Sequence, residues 1–241
     1  MNNDARIAVV SGANRGLGRE IARQLALLEM KVVLTSRDPA KGQLATADFR
    51  DQGLNVDFHP LDVRDPQSVA ELGRWLDHHF GRVDVLVNNA GILVDRHATR
   101  ISELDLETLS WTIETNLYGA LRVTQTVLPL MRKNNYGRIV NMSSGLGQLC
   151  EMQAGTPAYR ISKAALNAVT RILAAELQDT NIKVNSMCPG WVRTDMGGPN
   201  ATGPSRKAPP PRYGSPPCPT TAPAAASSAT ARRFRGDAAD H

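Results

Sequence analysis

Ser11-Gly12-Ala13-Asn14-Arg15-Gly16-Leu17-Gly18 follows the apolar run Ile7-Ala8-Val9-Val10 and opens onto residues 17–28, whose apolar positions recur at helical spacing. Glycines at G-x-x-x-G-x-G spacing let the backbone turn tightly and approach a phosphate. The helix that follows turns its N-terminal amides toward the anion. A glycine-rich turn alone is an ordinary structural device; set between a strand and a helix at the head of the chain, it reads as a phosphate-binding turn.

Working outward, short β-branched runs alternate with amphipathic stretches up to about residue 187. Lys31–Ser36 reads as a second strand, 39–52 as a helix, and 54–59 as a third strand. Pro66–Phe80 is a helix with proline in its first turn. Residues 83–88 form a fourth strand, and a long helical region, bent or broken before Trp111, runs to about Lys133. Residues 138–143 are strand five, 157–178 a helix, and Ile182–Met187 strand six. Strands separated by helices pair in parallel through right-handed crossovers. The expected fold class is therefore α/β, a Rossmann-like doubly wound parallel sheet in three layers. In such sheets ligands bind beyond the carboxyl ends of the strands.

Composition limits what this domain does. The 241 residues are 41% hydrophobic and 21% charged, with three cysteines and a net charge of +5. The odd cysteine count lacks paired spacing and argues against a disulfide framework or a cysteine zinc site. No apolar run has the roughly 18 residues a membrane span needs, and the start, M-N-N-D-A-R, lacks signal-peptide order. The expected location is cytoplasmic. The basic balance suggests nucleic acid until it is localised: residues 197–241 carry six basic and two acidic side chains, so +4 of the +5 lies there, with nine of the fifteen prolines. The chain divides into a foldable Rossmann-type domain at 1–196 and a Pro/Ala/Arg-rich tail at 197–241, expected to be disordered.

Chemistry-bearing residues gather after the strands. Arg15 in the turn and Arg37 after the second strand suit the 2′-phosphate of NADP(H) through charge-assisted hydrogen bonds. Asp38, one place later, is the competing ribose acceptor that NAD would use. Asp62 and Val63 end the third strand, where the carboxylate could bond an adenine amino group. Asn88-Asn89-Ala90-Gly91 ends the fourth, with small residues for close approach and amides to tie neighbouring strands. Ser143-Ser144 ends the fifth. Tyr159 and Lys163, at i and i+4, share a helix face. A neighbouring ammonium favours tyrosinate and is expected to lower the phenol pKa from about 10, making Tyr159 an acid/base group. Ser144 could orient a carbonyl oxygen.

Together the glycine turn, N-N-A-G, Asn116 in T-N-L-Y-G, Ser144, Tyr159, Lys163 and Cys188-Pro189-Gly190 resemble the short-chain dehydrogenase/reductase family, in order and over residues 5–196. The Arg15/Arg37 pair is similar to NADPH-preferring, carbonyl-reductase-like members. The resemblance implies reversible reduction of a small carbonyl substrate to an alcohol, with Tyr159 as proton donor, Lys163 on the nicotinamide ribose and lowering the Tyr159 pKa, Ser144 rather than Ser143 on the substrate oxygen, and Asn116 holding a water to Lys163. It assigns cofactor contacts to Gly12, Asn14, Arg15, Gly16, Leu17, Gly18 and Arg37, then to Asp62, Val63, Asn89, Ala90 and Gly91, and to Tyr159, Lys163, Pro189, Gly190, Val192 and Thr194. It also implies a homodimer through helices near 104–133 and 157–178, with neither nucleic acid nor membrane as partner. The alternative is a nucleotide-binding regulatory or scaffold protein that keeps the fold without turnover.

The remaining residues take plainer readings. Trp75 and Trp111 pack or cover helix faces, and His78-His79 ends a helix, where imidazolium suits the macrodipole, so no metal is expected. Cys150 and Met152 edge the substrate pocket, and Cys188 reads as a small buried hydrophobe. The resemblance implies a last helix and strand where the tail stands. Residues from 211 on, written in GC-rich synonymous codons and read one frame over, yield A-V-W-L-A-T-L, a G-P-S-G-G turn, F-F-R-D and then a stop. The expectation is a frameshift, in the gene or its reported reading, near residues 200–209.

Overall fold

Ile7-Ala8-Val9-Val10 forms β1 (Ile7–Val10), and its alternating side chains face two different cores. The computed structural model describes residues 5–95, 99–198 and 200–201. The expected disordered tail and the expected frameshift lie almost wholly outside the described residues. The remaining elements are α1 (Gly16–Leu27), β2 (Lys31–Ser36), α2 (Pro39–Asp51), β3 (Val56–Pro60), α3 (Pro66–Phe80), β4 (Val85–Asn88), α4 (Leu106–Ile113), α5 (Gly119–Lys133), β5 (Gly137–Met142), α6 (Pro157–Glu176) and β6 (Ile182–Met187).

The sheet has the order β3-β2-β1-β4-β5-β6 and every pairing is parallel. On one face Val9, Val33, Leu86 and Ile139 pack against Leu72 and Leu76 of α3 and Val123, Val127 and Met131 of α5. On the other, Ala8, Val10, Leu34 and Val87 pack against Ala22 and Ala26 of α1 and Phe49 of α2. Two cores, one on each face, make the three layers expected of continuous apolar strands. The strand order reverses direction between β1 and β4, which places the ligand-binding crevice at their carboxyl ends.

Helix starts follow local chemistry. Asp38 caps α2 by accepting the Lys41 N–H at 3.1 Å, and Asp65 caps α3 by accepting the Gln67 N–H at 2.9 Å, each with proline in the first turn. Gly81 closes α3 in the left-handed conformation.

Some expectations need correction. The long helical region is interrupted before Trp111, at 104–105 between a 3-10 turn (Ile101–Glu103) and α4, and it carries an unexpected π-helical turn at 114–118 that joins α4 to α5. Thr112 in α4 and Thr115 in the turn return their hydroxyls to the carbonyls four residues back, and Asn116 in the turn reaches inward to Ile92 and Ser162. Asp62 and Val63 lie in the loop after β3, which ends at Pro60. Among the described residues past position 196, the Gly197 and Ala201 carbonyls accept hydrogen bonds from Trp191 and Arg193. No helix among the described residues is long and apolar enough to cross a membrane.

Candidate active site

A cleft of about 1160 Å³ opens at the carboxyl ends of the strands. The glycine turn forms its floor and is stitched to the segment after β4. The Ser11 hydroxyl accepts the N–H groups of Asn89 and Ala90, both at 3.0 Å, and the Asn89 amide donates to the carbonyls of Ser11 and Gly12 at 2.9 and 3.0 Å. Contact is close enough to require glycine. Gly12 sits at φ 63 and a Cβ there would lie 3.0 Å from the Ala90 Cα, while one on Gly18 would lie 2.6 Å from the Gly12 carbonyl oxygen. Asn14, Gly16 and Leu17 complete the floor, and Thr194 faces Gly16 from the opposite wall.

One end of the cleft is basic. Arg15 and Arg37 are both exposed on its lining, and Arg15 pairs with Asp195 across the mouth at 2.5 Å. Asp38, the competing ribose acceptor, is turned away: it caps α2, pairs with the Lys41 ammonium at 3.0 Å and does not line the cleft. Asp62 and Val63 line it, but the Asp62 carboxylate is held by Arg64 at 2.8 Å, and that hydrogen bond keeps its pKa below the usual carboxylate value.

The other end holds the hydroxyl pair. Ser144 lies two residues past β5, and its hydroxyl, which accepts the Leu146 N–H at 3.2 Å, is the neighbour that favours the Tyr159 phenolate; the neighbouring Ser143 hydroxyl is buried without a hydrogen-bond partner. Tyr159 is buried in the first turn of α6. Burial pushes its pKa up to about 12 against the opposing Ser144 hydrogen bond, and Cys188 adds to the rise. Lys163, one turn on, lies 5.5 Å over the Tyr159 ring and donates to the Met142 carbonyl at 2.7 Å; burial pulls its pKa down to about 8. The expectation that Lys163 lowers the Tyr159 pKa is thus corrected: desolvation disfavours the charged form of both groups and outweighs any attraction between them. Tyr159 stays protonated at neutral pH, a hydroxyl able to give a proton to a carbonyl oxygen held between it and Ser144.

Asn116 stands behind this pair and off the cleft surface. Its Oδ1 accepts the Ile92 N–H at 2.8 Å, and its Nδ2 donates to the Ile92 carbonyl and the Ser162 hydroxyl at 2.9 and 3.0 Å. Gly91 separates it from Lys163, since a Cβ there would lie 3.1 Å from Asn116 Oδ1 and 3.6 Å from Lys163 Nζ. Ala90, Gly91, Pro189, Gly190 and Val192 line the cleft, as does Cys150, whereas Met152 does not. Cys188, expected to be a buried hydrophobe, is exposed on the lining, with its sulfur accepting the Gly145 N–H at 3.1 Å. Its place at the carboxyl end of β6 puts it in the crevice instead of the core.

Ser11, Ser162 and Asp95 escaped the sequence reading. Ser11 was legible as the hydroxyl preceding Gly12, but Ser162 and Asp95 act through partners that only folding supplies.

A family model described as short chain dehydrogenase matches residues 6–204. The (+)-neomenthol dehydrogenase of Arabidopsis thaliana is 36% identical over 253 residues, covering 79% of this chain and 84% of that protein. Carbonyl reductase (NADPH) 1 of Oryctolagus cuniculus is 35% identical over 247 residues, covering 84% of this chain and 87% of that protein. Among solved structures, the NADPH-bound carbonyl reductase from chicken fatty liver superposes with a TM-score of 0.73 at 30% identity, over 80% of this chain and 82% of that one. The fold, the cleft at the strand ends and these likenesses together establish that the chain belongs to the short-chain dehydrogenase family of oxidoreductases.

Proposed function

We propose that the protein reduces a small carbonyl compound to an alcohol with NADPH. The observation that carries this reading is Ser144, Tyr159 and buried Lys163 brought together on the cleft lining, with Lys163 5.5 Å over the Tyr159 ring, at the end opposite Arg15 and Arg37. The cleft fits the dinucleotide: the turn at Gly12 and Gly18 has no room for side chains, two guanidinium groups line the outer end, and Asp38, the carboxylate that would compete for the ribose, is engaged with α2. When bound, NADPH supplies a hydride to the carbonyl carbon.

The chain's own residues do the rest. Ser144 donates to the substrate oxygen and fixes its place. Tyr159 holds its proton at Oη until the oxygen becomes basic, then transfers it. Lys163 binds the nicotinamide ribose, and with its pKa near 8 its ammonium retains a proton at neutral pH, close to the phenol that must regain one. Asn116 holds Ile92 and Ser162 in place, and its Oδ1 keeps one lone pair for a water beside Lys163. Arg15 leaves Asp195 for the 2′-phosphate, which Arg37 also meets. A homodimer through α4, α5 and α6 belongs to the same reading, supported by exposed Leu106, Trp111, Ile161 and Ile172 on α4 and α6.

Tyr159→Phe tests the proposal. With NADPH and a panel of aromatic aldehydes and alicyclic ketones, the parent turns over and the variant loses about 10²-fold or more in kcat, with NADPH affinity retained. NADPH binding without turnover of any panel member by the parent would instead favour a nucleotide-binding scaffold.

A further inference from the structure

Helix α6, which carries Tyr159 and Lys163, has no cap of its own. Its N-cap residue Thr156 sits at φ 46, ψ 50 and its side chain makes no capping bond. Gly155 before it is also left-handed, at φ 85. Pro157 has no N–H, so the first orphan donors are those of Ala158 and Tyr159. Both turn toward Asp95, more than sixty residues earlier on the segment that leaves β4. Asp95 Oδ2 accepts the Ala158 N–H at 2.7 Å and the Tyr159 N–H at 3.4 Å.

The carboxylate is held under unusual terms. Asp95 is 5% exposed, its Oδ1 is buried without a hydrogen-bond partner, and no ion pair to it is found among the described residues. Arg160, the nearest guanidinium in sequence to the Tyr159 backbone, donates instead to the carbonyls of Gly155 at 2.7 Å and Ala154 at 3.4 Å. Burying a carboxylate opposed, among the described residues, by two backbone amides and a helix terminus is costly. An ordinary Ser, Thr or Asp at an extended N-cap would close the helix at less cost. What Asp95 achieves and a local cap would not is a rigid link between two parts of the cleft. Its own segment runs from Ala90 through Gly91 to Ile92, where Asn116 grips it, while its acceptor oxygen holds the backbone of Tyr159 itself.

We propose that Asp95 is a positioning residue for Tyr159: its Oδ2 fixes the first turn of α6 against the segment after β4 and so sets where the phenol stands relative to Ser144. Tyr159 lies in the turn that would otherwise fray, and a displacement of about 1 Å at a reacting group can cost about 10²-fold in rate. The inference rests on Tyr159 being the proton donor.

Asp95→Ala removes the acceptor and Asp95→Asn keeps one in place without the charge. Both are measured in the full chain, with NADPH binding followed by its fluorescence and turnover followed on the panel carbonyl that the parent reduces fastest. Asp95→Ala is expected to lose about 30-fold or more in kcat per NADPH-binding molecule, with the KM for NADPH within about threefold of the parent. Asp95→Asn is expected to stay within about threefold of the parent in both constants. A purely structural role would instead lower the melting temperature of Asp95→Ala and leave kcat per NADPH-binding molecule unchanged, and that result overturns the proposal. So does an Asp95→Asn variant as slow as Asp95→Ala. If the alanine variant does not fold, Asp95→Glu takes its place, since one added methylene moves the acceptor: reduced kcat with normal NADPH binding supports the role, and unchanged kcat refutes it. Tyr159→Phe run alongside separates the two claims. If it remains active, the proton-donor reading fails; if it is inactive while Asp95→Ala is normal, the positioning role alone fails.

Discussion

Lys163 is 5% exposed, donates to the Met142 carbonyl, and its pKa is pulled from 10.5 to about 8 by burial. A base with a depressed folded pKa destabilises the fold wherever both folded and unfolded forms are protonated. The penalty is therefore full below about pH 8, shrinks as pH rises through the folded value, and vanishes above 10.5, where the unfolded chain has also lost its proton. Its size is on the order of 3 kcal/mol. Lys163→Met should accordingly abolish turnover yet melt higher than the parent near pH 7, with the gain fading toward pH 10; a gain independent of pH, or none, would refute the assignment. Tyr159 acts with the opposite sign. Its pKa is raised from 10.0 to about 12, so it adds stability below pH 10 that is lost between 10 and 12. The pairing of Tyr159 with Lys163 was legible from their i, i+4 spacing, and the choice of Ser144 over Ser143 from the family resemblance. Their protonation states were not, because desolvation depends on everything packed around them.

Among the elements, β4, β5, α5 and α6 are joined by a buried amide chain. Asn88 Nδ2 donates to Thr124 Oγ1 at 2.9 Å and to Asn141 Oδ1 at 2.8 Å, and Asn141 Nδ2 donates to Thr170 Oγ1 at 2.9 Å. N-N-A-G signalled that Asn88 ties neighbouring strands, but Asn141, Thr124 and Thr170 look like ordinary polar residues in their own elements. Asn141→Leu leaves Asn88 a buried donor short of its acceptor, which should cost about 2 kcal/mol and lower the melting temperature by about 4–8 °C. An unchanged melting temperature would show that the chain does not hold the elements together. The π-helical turn at 114–118 was invisible for a related reason. Hydrophobic periodicity marks the long helical region, whereas the extra residue in the turn is fixed by where Asn116 must reach, toward Ile92 and Ser162. Strand ends moved by a residue or two because pairing, not composition, terminates a strand.

At the level of the whole molecule, β6 stands at one edge of the sheet and pairs only with β5 among the described residues. A sheet edge left unpaired among the described residues is a boundary that another strand could close. A chain carrying the alternate-frame residues from 211 on should melt at least several degrees higher than the chain as written and turn over faster; equal melting temperature and equal turnover would refute the frameshift reading, as would coding DNA incompatible with that frame. By itself the sequence determined the alternation of strands and helices, the parallel three-layer sheet, the glycine turn, and Tyr159 and Lys163 on one helix face. These are written in local periods and fixed spacings, which survive in one dimension. Tertiary structure decided which acid faces which amide. Asp38 is drawn off to cap α2, Asp95 reaches across to cap α6, Cys188 comes to the cleft surface, and burial reverses the expected shift of the Tyr159 phenol. Each of these depends on contacts between residues far apart in the chain, or on the exclusion of water, and neither is encoded at any single position.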